Sequence, residues 1–67
     1  MIAITVNGEK RDVASGLSVT QLLQSYGIEP KMVVVELNGE IIARSQYPDV
    51  LVDNNATIEI VQMMAGG

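Results

Sequence analysis

The sequence predicts an α+β fold, a mixed sheet of four to five strands with one main helix packed on one face. Three observations carry that expectation. Two Asn-Gly pairs, Asn7-Gly8 and Asn38-Gly39, each separate short strand-forming runs, and Asn-Gly tolerates the positive φ that tight hairpins demand. Between them lies one amphipathic stripe at helical spacing, with its own start and stop signals. A last alternating run, Thr57 to Gln62, reads as a strand.

The elements follow in order. Residues 2–6 alternate, with Ile2, Ile4 and Val6 on one face and Ala3 and Thr5 on the other, the period of a half-buried strand. After the Asn7-Gly8 turn, residues 10–14 pair back antiparallel. Ser18 is suited to cap a helix, and Gln21 three residues later completes a capping box. Leu17 and Leu22 stand at the positions of a hydrophobic staple. Val19, Leu22, Leu23 and Tyr26 recur at i, i+3, i+4 and i+7, so a helix is expected over 19–26. Gly27 supplies the left-handed residue that ends it, and Pro30 prevents its resumption.

Residues 32–37, Met-Val-Val-Val-Glu-Leu, form an internal strand, and Asn38-Gly39 turns it into Glu40-Ile41-Ile42. Residues 43–56 are irregular and contain Tyr47-Pro48 and a polar turn at Asp53-Asn54-Asn55, with Val50 and Leu51 tucked onto the core. The final strand puts Ile58 and Ile60 on one face and Thr57, Glu59 and Val61 on the other. Hairpin, helix, hairpin, crossover and central final strand make a β-grasp domain over 1–62, followed by a flexible tail, 63–67, that ends in Gly66-Gly67. The tail is expected to be mobile, since its residues have no sequence partner.

Composition removes most catalytic classes. The chain has 67 residues, no cysteine, no histidine and no tryptophan. A domain of this size buries only roughly 60% of its unfolded surface and has no room for a deep cleft. Without cysteine there is no disulfide, redox dithiol or thiolate metal site. Without histidine the commonest general base and zinc ligand are missing. Eight acidic against four basic residues give a net charge of −4, and Lys10, Arg11, Lys31 and Arg44 are too scattered to follow a phosphate backbone. No apolar run approaches a signal peptide or membrane span. The expectation is a cytoplasmic protein that binds neither nucleic acid nor membrane.

The remaining candidate for chemistry is the tail. Five residues beyond Gln62 reach roughly 17 Å when extended, and glycines at the tip can enter a channel that any Cβ would block. A terminal carboxylate, ionised at neutral pH, can attack the α-phosphorus of ATP and become an acyl-adenylate open to a sulfur or nitrogen nucleophile. No phosphate loop occurs in the sequence, so ATP would be bound by a partner and the protein would be a co-substrate, not an enzyme. Nothing brings Ser15, Ser18, Ser25 or Ser45 beside Lys10 or Lys31 for a Ser–Lys pair, and Asp53-Asn54-Asn55 has neither the spacing nor the glutamate of a calcium loop.

Ile4-Thr5-Val6-Asn7-Gly8-Glu9, Leu17-Ser18-Val19-Thr20-Gln21-Leu22-Leu23, Val34 to Ile42, Ile58-Glu59-Ile60-Val61 and the terminal Gly66-Gly67 together resemble the ThiS/MoaD family of ubiquitin-like sulfur carriers over the whole length. The resemblance implies that a ThiF-type adenylyltransferase activates the C-terminal glycine with ATP. It implies too that a cysteine desulfurase system supplies the sulfur of a thiocarboxylate, which thiazole synthase (ThiG) then receives in thiamine biosynthesis. By position Gly67 would bear the reactive carboxyl and Gly66 form the neck behind it. Ala65 stands where many members have a further glycine, and Asn54-Asn55 where they have a Gly-Asp-type turn. A MoaD-like subunit serving molybdopterin synthesis and a ubiquitin-like modifier are the alternatives.

Met63, Met64, Ala65 and Val61 are candidate partner contacts. The two methionines either pack on the sheet edge or offer a pliable apolar surface to an activating enzyme. Leu51 and Val61 are either core or part of an exposed apolar patch of the kind that marks partner surfaces, with the core favoured for Leu51. Glu36, Glu40, Asp49, Asp53 and Glu59 either form a solvated face or meet a basic groove on a partner.

Overall fold

A computed structural model describes residues 1–63 of the chain. Its elements are β1 (Ile2–Val6), β2 (Glu9–Val13), α1 (Val19–Ser25), a 3-10 turn (Pro30–Met32), β3 (Val33–Leu37), β4 (Glu40–Ile42), a second 3-10 turn (Arg44–Gln46) and β5 (Thr57–Gln62). The strands form one mixed sheet in the order β2-β1-β5-β3-β4. β5 lies at its centre, parallel to β1 and antiparallel to β3. The arrangement is the expected β-grasp, with all five strands present.

Both hairpins turn as the Asn-Gly pairs require. Asn7 and Gly8 have φ of 50° and 83°, and Asn38 and Gly39 have 52° and 85°, the pair of positive values that matches the twist of the flanking strands. The helix begins on a complete capping box: Gln21 N–H donates to Ser18 Oγ at 3.1 Å and Ser18 N–H to Gln21 Oε1 at 2.9 Å. Its end is a Schellman arrangement. Gly27 N–H donates to the Gln24 carbonyl and Ile28 N–H to the Leu23 carbonyl, with Gly27 at φ 70°. Tyr26 is therefore the cap and not the last helical residue. A helix of seven residues does not persist alone in water, so packing holds it. Val19, Leu22 and Leu23 are buried against Ile4, Val6, Val33, Val35 and Ile58 from the inner face of the sheet.

Several expectations shift. The second strand is Glu9–Val13, one residue earlier than read from the sequence, because the two-residue turn pairs Glu9 with Val6. The third begins at Val33, because Pro30, expected only to block the helix, opens a 3-10 turn that takes in Met32. Proline suits such a first position, having no N–H to satisfy. The expectation that Leu51 lies in the core is wrong. Leu51 is 54% exposed, whereas Val52 is 1% exposed. Ser18 and Leu51 form an isolated bridge and Val52 N–H donates to the Leu17 carbonyl. This short extended stretch alternates its side chains, turning Val52 inward and Leu51 outward.

The irregular segment contributes a core residue of its own. Tyr47 is buried; its hydroxyl accepts from Val35 N–H at 3.2 Å and donates to the Val33 carbonyl at 3.4 Å. β4 ends at Ile42, opposite Val35, so the tyrosine hydroxyl serves backbone groups where that neighbouring strand runs out. Asp53-Asn54-Asn55 forms the expected turn: Asn55 has φ 68° and Asn54 Oδ1 accepts from Ala3 N–H.

Candidate functional site

The strand that feeds the chain's end is held from both sides. β5 meets β3 through five register pairs from Leu37↔Ile58 to Val33↔Gln62, and Met63 N–H continues the ladder to the Met32 carbonyl at 2.8 Å. On the other side β1 pairs in register only at Thr57 and Ile58. Beyond that point Asn7 takes over: its Oδ1 accepts from Ile60 N–H at 2.7 Å and its Nδ2 donates to the Ile60 carbonyl at 3.2 Å. Asn38 does the same work at the strand's start, with its N–H donating to the Thr57 carbonyl at 2.7 Å and its Oδ1 accepting from Thr57 N–H at 2.9 Å. The sequence showed both asparagines as turn residues. Their second role, bracing β5, needs the topology that brings each turn beside that strand.

One face of the sheet carries the helix and the other is open. Directly opposed residues on neighbouring strands share a face, so the registers define the open one. Val34 lies opposite Val61, Glu36 opposite Glu59, and Ile41 opposite Glu36. Met63 continues the row of Glu59 and Val61. Val61 is 56% exposed, Met63 38% and Ile41 71%. Thus two of the candidate contact residues, Val61 and Met63, stand together on the open face at the end of the central strand. Leu51 is elsewhere, beside Ser18 at the start of the helix. Met64, Ala65, Gly66 and Gly67 lie outside the described residues.

The acidic residues do not form one group. Glu36 and Glu59 face each other on the open side, whereas Asp49 and Asp53 are exposed in the crossover. Among the described residues the salt bridge present is Arg11–Glu9 at 3.0 Å, so neither Glu36 nor Glu59 has an ammonium or guanidinium within ion-pair reach. This opposition follows only from strand register, which local sequence does not reveal.

A shallow recess lies between the helix end and the first hairpin, lined by residues including Val6, Glu9, Arg11, Tyr26 and Ile60. The Arg11 guanidinium sits over the Tyr26 ring, 5.3 Å from its centre, and the buried Tyr26 hydroxyl has no hydrogen-bond partner among the described residues. Among the described residues no group of three His, Cys, Asp or Glu side chains could hold a metal ion. No helix among them is long and apolar enough to cross a membrane. What the geometry offers is a compact scaffold that projects its final strand from a braced centre, beside an open face that carries both apolar and acidic side chains.

Comparison with known proteins agrees with that geometry. The profile of the ThiS family matches residues 4–67. The sulfur carrier protein ThiS of Bacillus subtilis is 42% identical over 50 residues, covering 75% of this chain and 76% of that protein. A thiazole synthase of Paramagnetospirillum magneticum is 36% identical over 64 residues, covering 96% of this chain, which spans only 20% of that protein's length. The crystal structure of the thiamine biosynthesis protein (ThiS) from Geobacter metallireducens superposes with a TM-score of 0.86 at 35% identity, covering 98% of this chain and all of that one.

Proposed function

This chain belongs to the ThiS family, and from that premise we propose that it is a sulfur carrier whose reactive group is the carboxyl of Gly67. A carboxylate oxygen attacks the α-phosphorus of ATP on a ThiF-type adenylyltransferase, and pyrophosphate leaves. A persulfide, supplied by a cysteine desulfurase system, adds its terminal sulfur to the acyl-adenylate carbonyl and AMP leaves. A thiol then reduces the resulting S–S bond, and the thiocarboxylate stays on Gly67. The ATP is the partner's substrate, and the chain itself is a protein co-substrate.

The observation that carries this reading is the family match through residue 67, joined to a central final strand on which the tail is mounted. Gly66 serves as the neck, and Met63, Met64, Ala65 and Val61 line the approach. Thiazole synthase is the acceptor we favour over a pterin-forming enzyme, because a protein of that name contains a stretch similar to this chain. Intact-mass analysis after incubation with a ThiF-type enzyme, ATP and a sulfur source tests the proposal. The expected result is the mass gain of one sulfur-for-oxygen exchange, confined to the last peptide. An unchanged mass, with the adenylyltransferase active on another carrier, overturns it.

A further inference from the structure

The last strand is supported unevenly. On its β3 side the ladder runs to the end, with Met63 N–H donating to the Met32 carbonyl. On its β1 side the backbone partners stop at Ile58, whose carbonyl accepts from Asn7 N–H at 2.8 Å. Among the described residues the Asn7 side chain alone holds Ile60 from that side, accepting at 2.7 Å and donating at 3.2 Å. Strands paired on one side only twist more and open locally more easily. The amide therefore extends two-sided support from Ile58 to Ile60, towards the point where the tail begins. The turn does not ask for this. It needs a positive φ, which glycine supplies as readily as asparagine, whereas the amide brings an acceptor and a donor to Ile60 at once. Asn38 is the internal comparison. It holds the corresponding place in the other hairpin, at φ 52°, and its Oδ1 accepts from Thr57 N–H at 2.9 Å. Thr57 begins β5, roughly 20 Å along the strand from Met63.

We propose that Asn7 is a positioning residue for the carrier reaction. By clamping Ile60 it fixes where residues 64–67 leave the body, and so where the Gly67 carboxyl meets the α-phosphorus of ATP on the adenylating enzyme. The inference rests on the carrier reading above and deepens it. The residues after Met63 reach roughly 14 Å when extended, a distance counted from that anchor. Displacing a reacting group by about 1 Å can cost about a hundredfold in rate, so an anchor that swings lowers the turnover of the bound carrier. The clamp acts through Ile60, and its loss lowers turnover rather than affinity.

The test compares Asn7→Gly, Asn7→Asp, Asn38→Gly and Ser18→Ala in the full chain, well below their melting temperatures. Glycine keeps the positive φ and removes the amide; aspartate keeps the acceptor for Ile60 N–H and loses the donor. Asn38→Gly makes the same chemical change at the far end of β5, and Ser18→Ala costs comparable stability away from it. Carrier-dependent ATP–pyrophosphate exchange with a purified ThiF-type adenylyltransferase gives kcat and KM, calorimetric titration gives Kd, and hydrogen exchange reads the Met63 N–H. Asn7→Gly is expected to lower kcat about tenfold or more, with KM and Kd within about twofold of the parent, and to speed exchange at Met63. Asn7→Asp should fall between Asn7→Gly and the parent. Both controls should keep kcat within about twofold and Met63 protected, whereas a merely structural role would make kcat follow stability in all of them. A kcat of Asn7→Gly within about twofold of the parent, an equal fall in either control, unchanged exchange at Met63, or a rise in KM and Kd at unchanged kcat overturns the proposal. A parent that binds the enzyme and supports no pyrophosphate exchange overturns the carrier reading and this role with it. An active parent with an unaffected Asn7→Gly overturns the role alone.

Discussion

Asn7 acts on Ile60 as a short strand would. Its side-chain amide accepts the Ile60 N–H and donates to the Ile60 carbonyl, extending the pairing of β1 and β5 past the last backbone residue of β1. The same residue holds the positive φ of the first hairpin. Asn7→Gly separates the two roles, since glycine keeps the turn and removes the amide. We expect a loss of about 1 kcal/mol, the net of two partly exposed hydrogen bonds. The thermal midpoint should fall by about 5 °C, and hydrogen exchange at Ile60 should speed up more than at Leu23.

Tyr47→Phe removes the hydroxyl that serves Val35 N–H and the Val33 carbonyl. The ring still fills its site, but two buried backbone groups lose their partner. Stability should drop by about 2 kcal/mol, measured by urea unfolding with an unchanged m value. A loss below a few tenths would mean that water replaces the hydroxyl.

Tyr26→Phe should do the reverse. The Tyr26 hydroxyl is buried and has no partner among the described residues, so removing it relieves a desolvation cost, while the phenyl ring keeps its place under Arg11. A gain of up to about 1 kcal/mol is expected. A clear loss in urea unfolding would show that the hydroxyl has a partner in solution.

Ser18→Ala takes away the acceptor for Gln21 N–H. The helix is too short to absorb the loss by fraying one turn, and about 1 kcal/mol should go. Circular dichroism at the transition midpoint should report helix and sheet melting together.

One alanine appended after Gly67 should abolish adenylation and leave the melting curve unchanged, because the addition lies beyond every strand of the described residues. Formation of the adenylate on the lengthened chain would contradict the role given to the Gly67 carboxyl.

The parts of this fold that were legible in the sequence are those governed by neighbours along the chain. Ser18 and Gln21 form their capping box three residues apart, Gly27 ends its helix locally, and both Asn-Gly pairs turn because their own φ values allow it. Leu51, flanked by two valines, looks in the sequence like part of a buried run. Its outward direction comes from the bridge to Ser18, more than thirty residues away. Tyr47 is hidden for a similar reason: next to Pro48 it reads as turn material, and its value lies in an orphaned edge of β3. At the candidate site, Val61 could be named from strand alternation alone. The opposition of Glu36 and Glu59 belongs to two strands at once and has no signature in either.

The central position of β5 has a mechanical consequence. A pull applied at Met63 along β5 acts between β1 on one side and β3 on the other. Bonds perpendicular to such a load resist together, in shear, whereas an edge strand pulled outward would unzip one bond at a time. A load taken up at Met63 is therefore borne by two neighbouring strands at once rather than by a single edge.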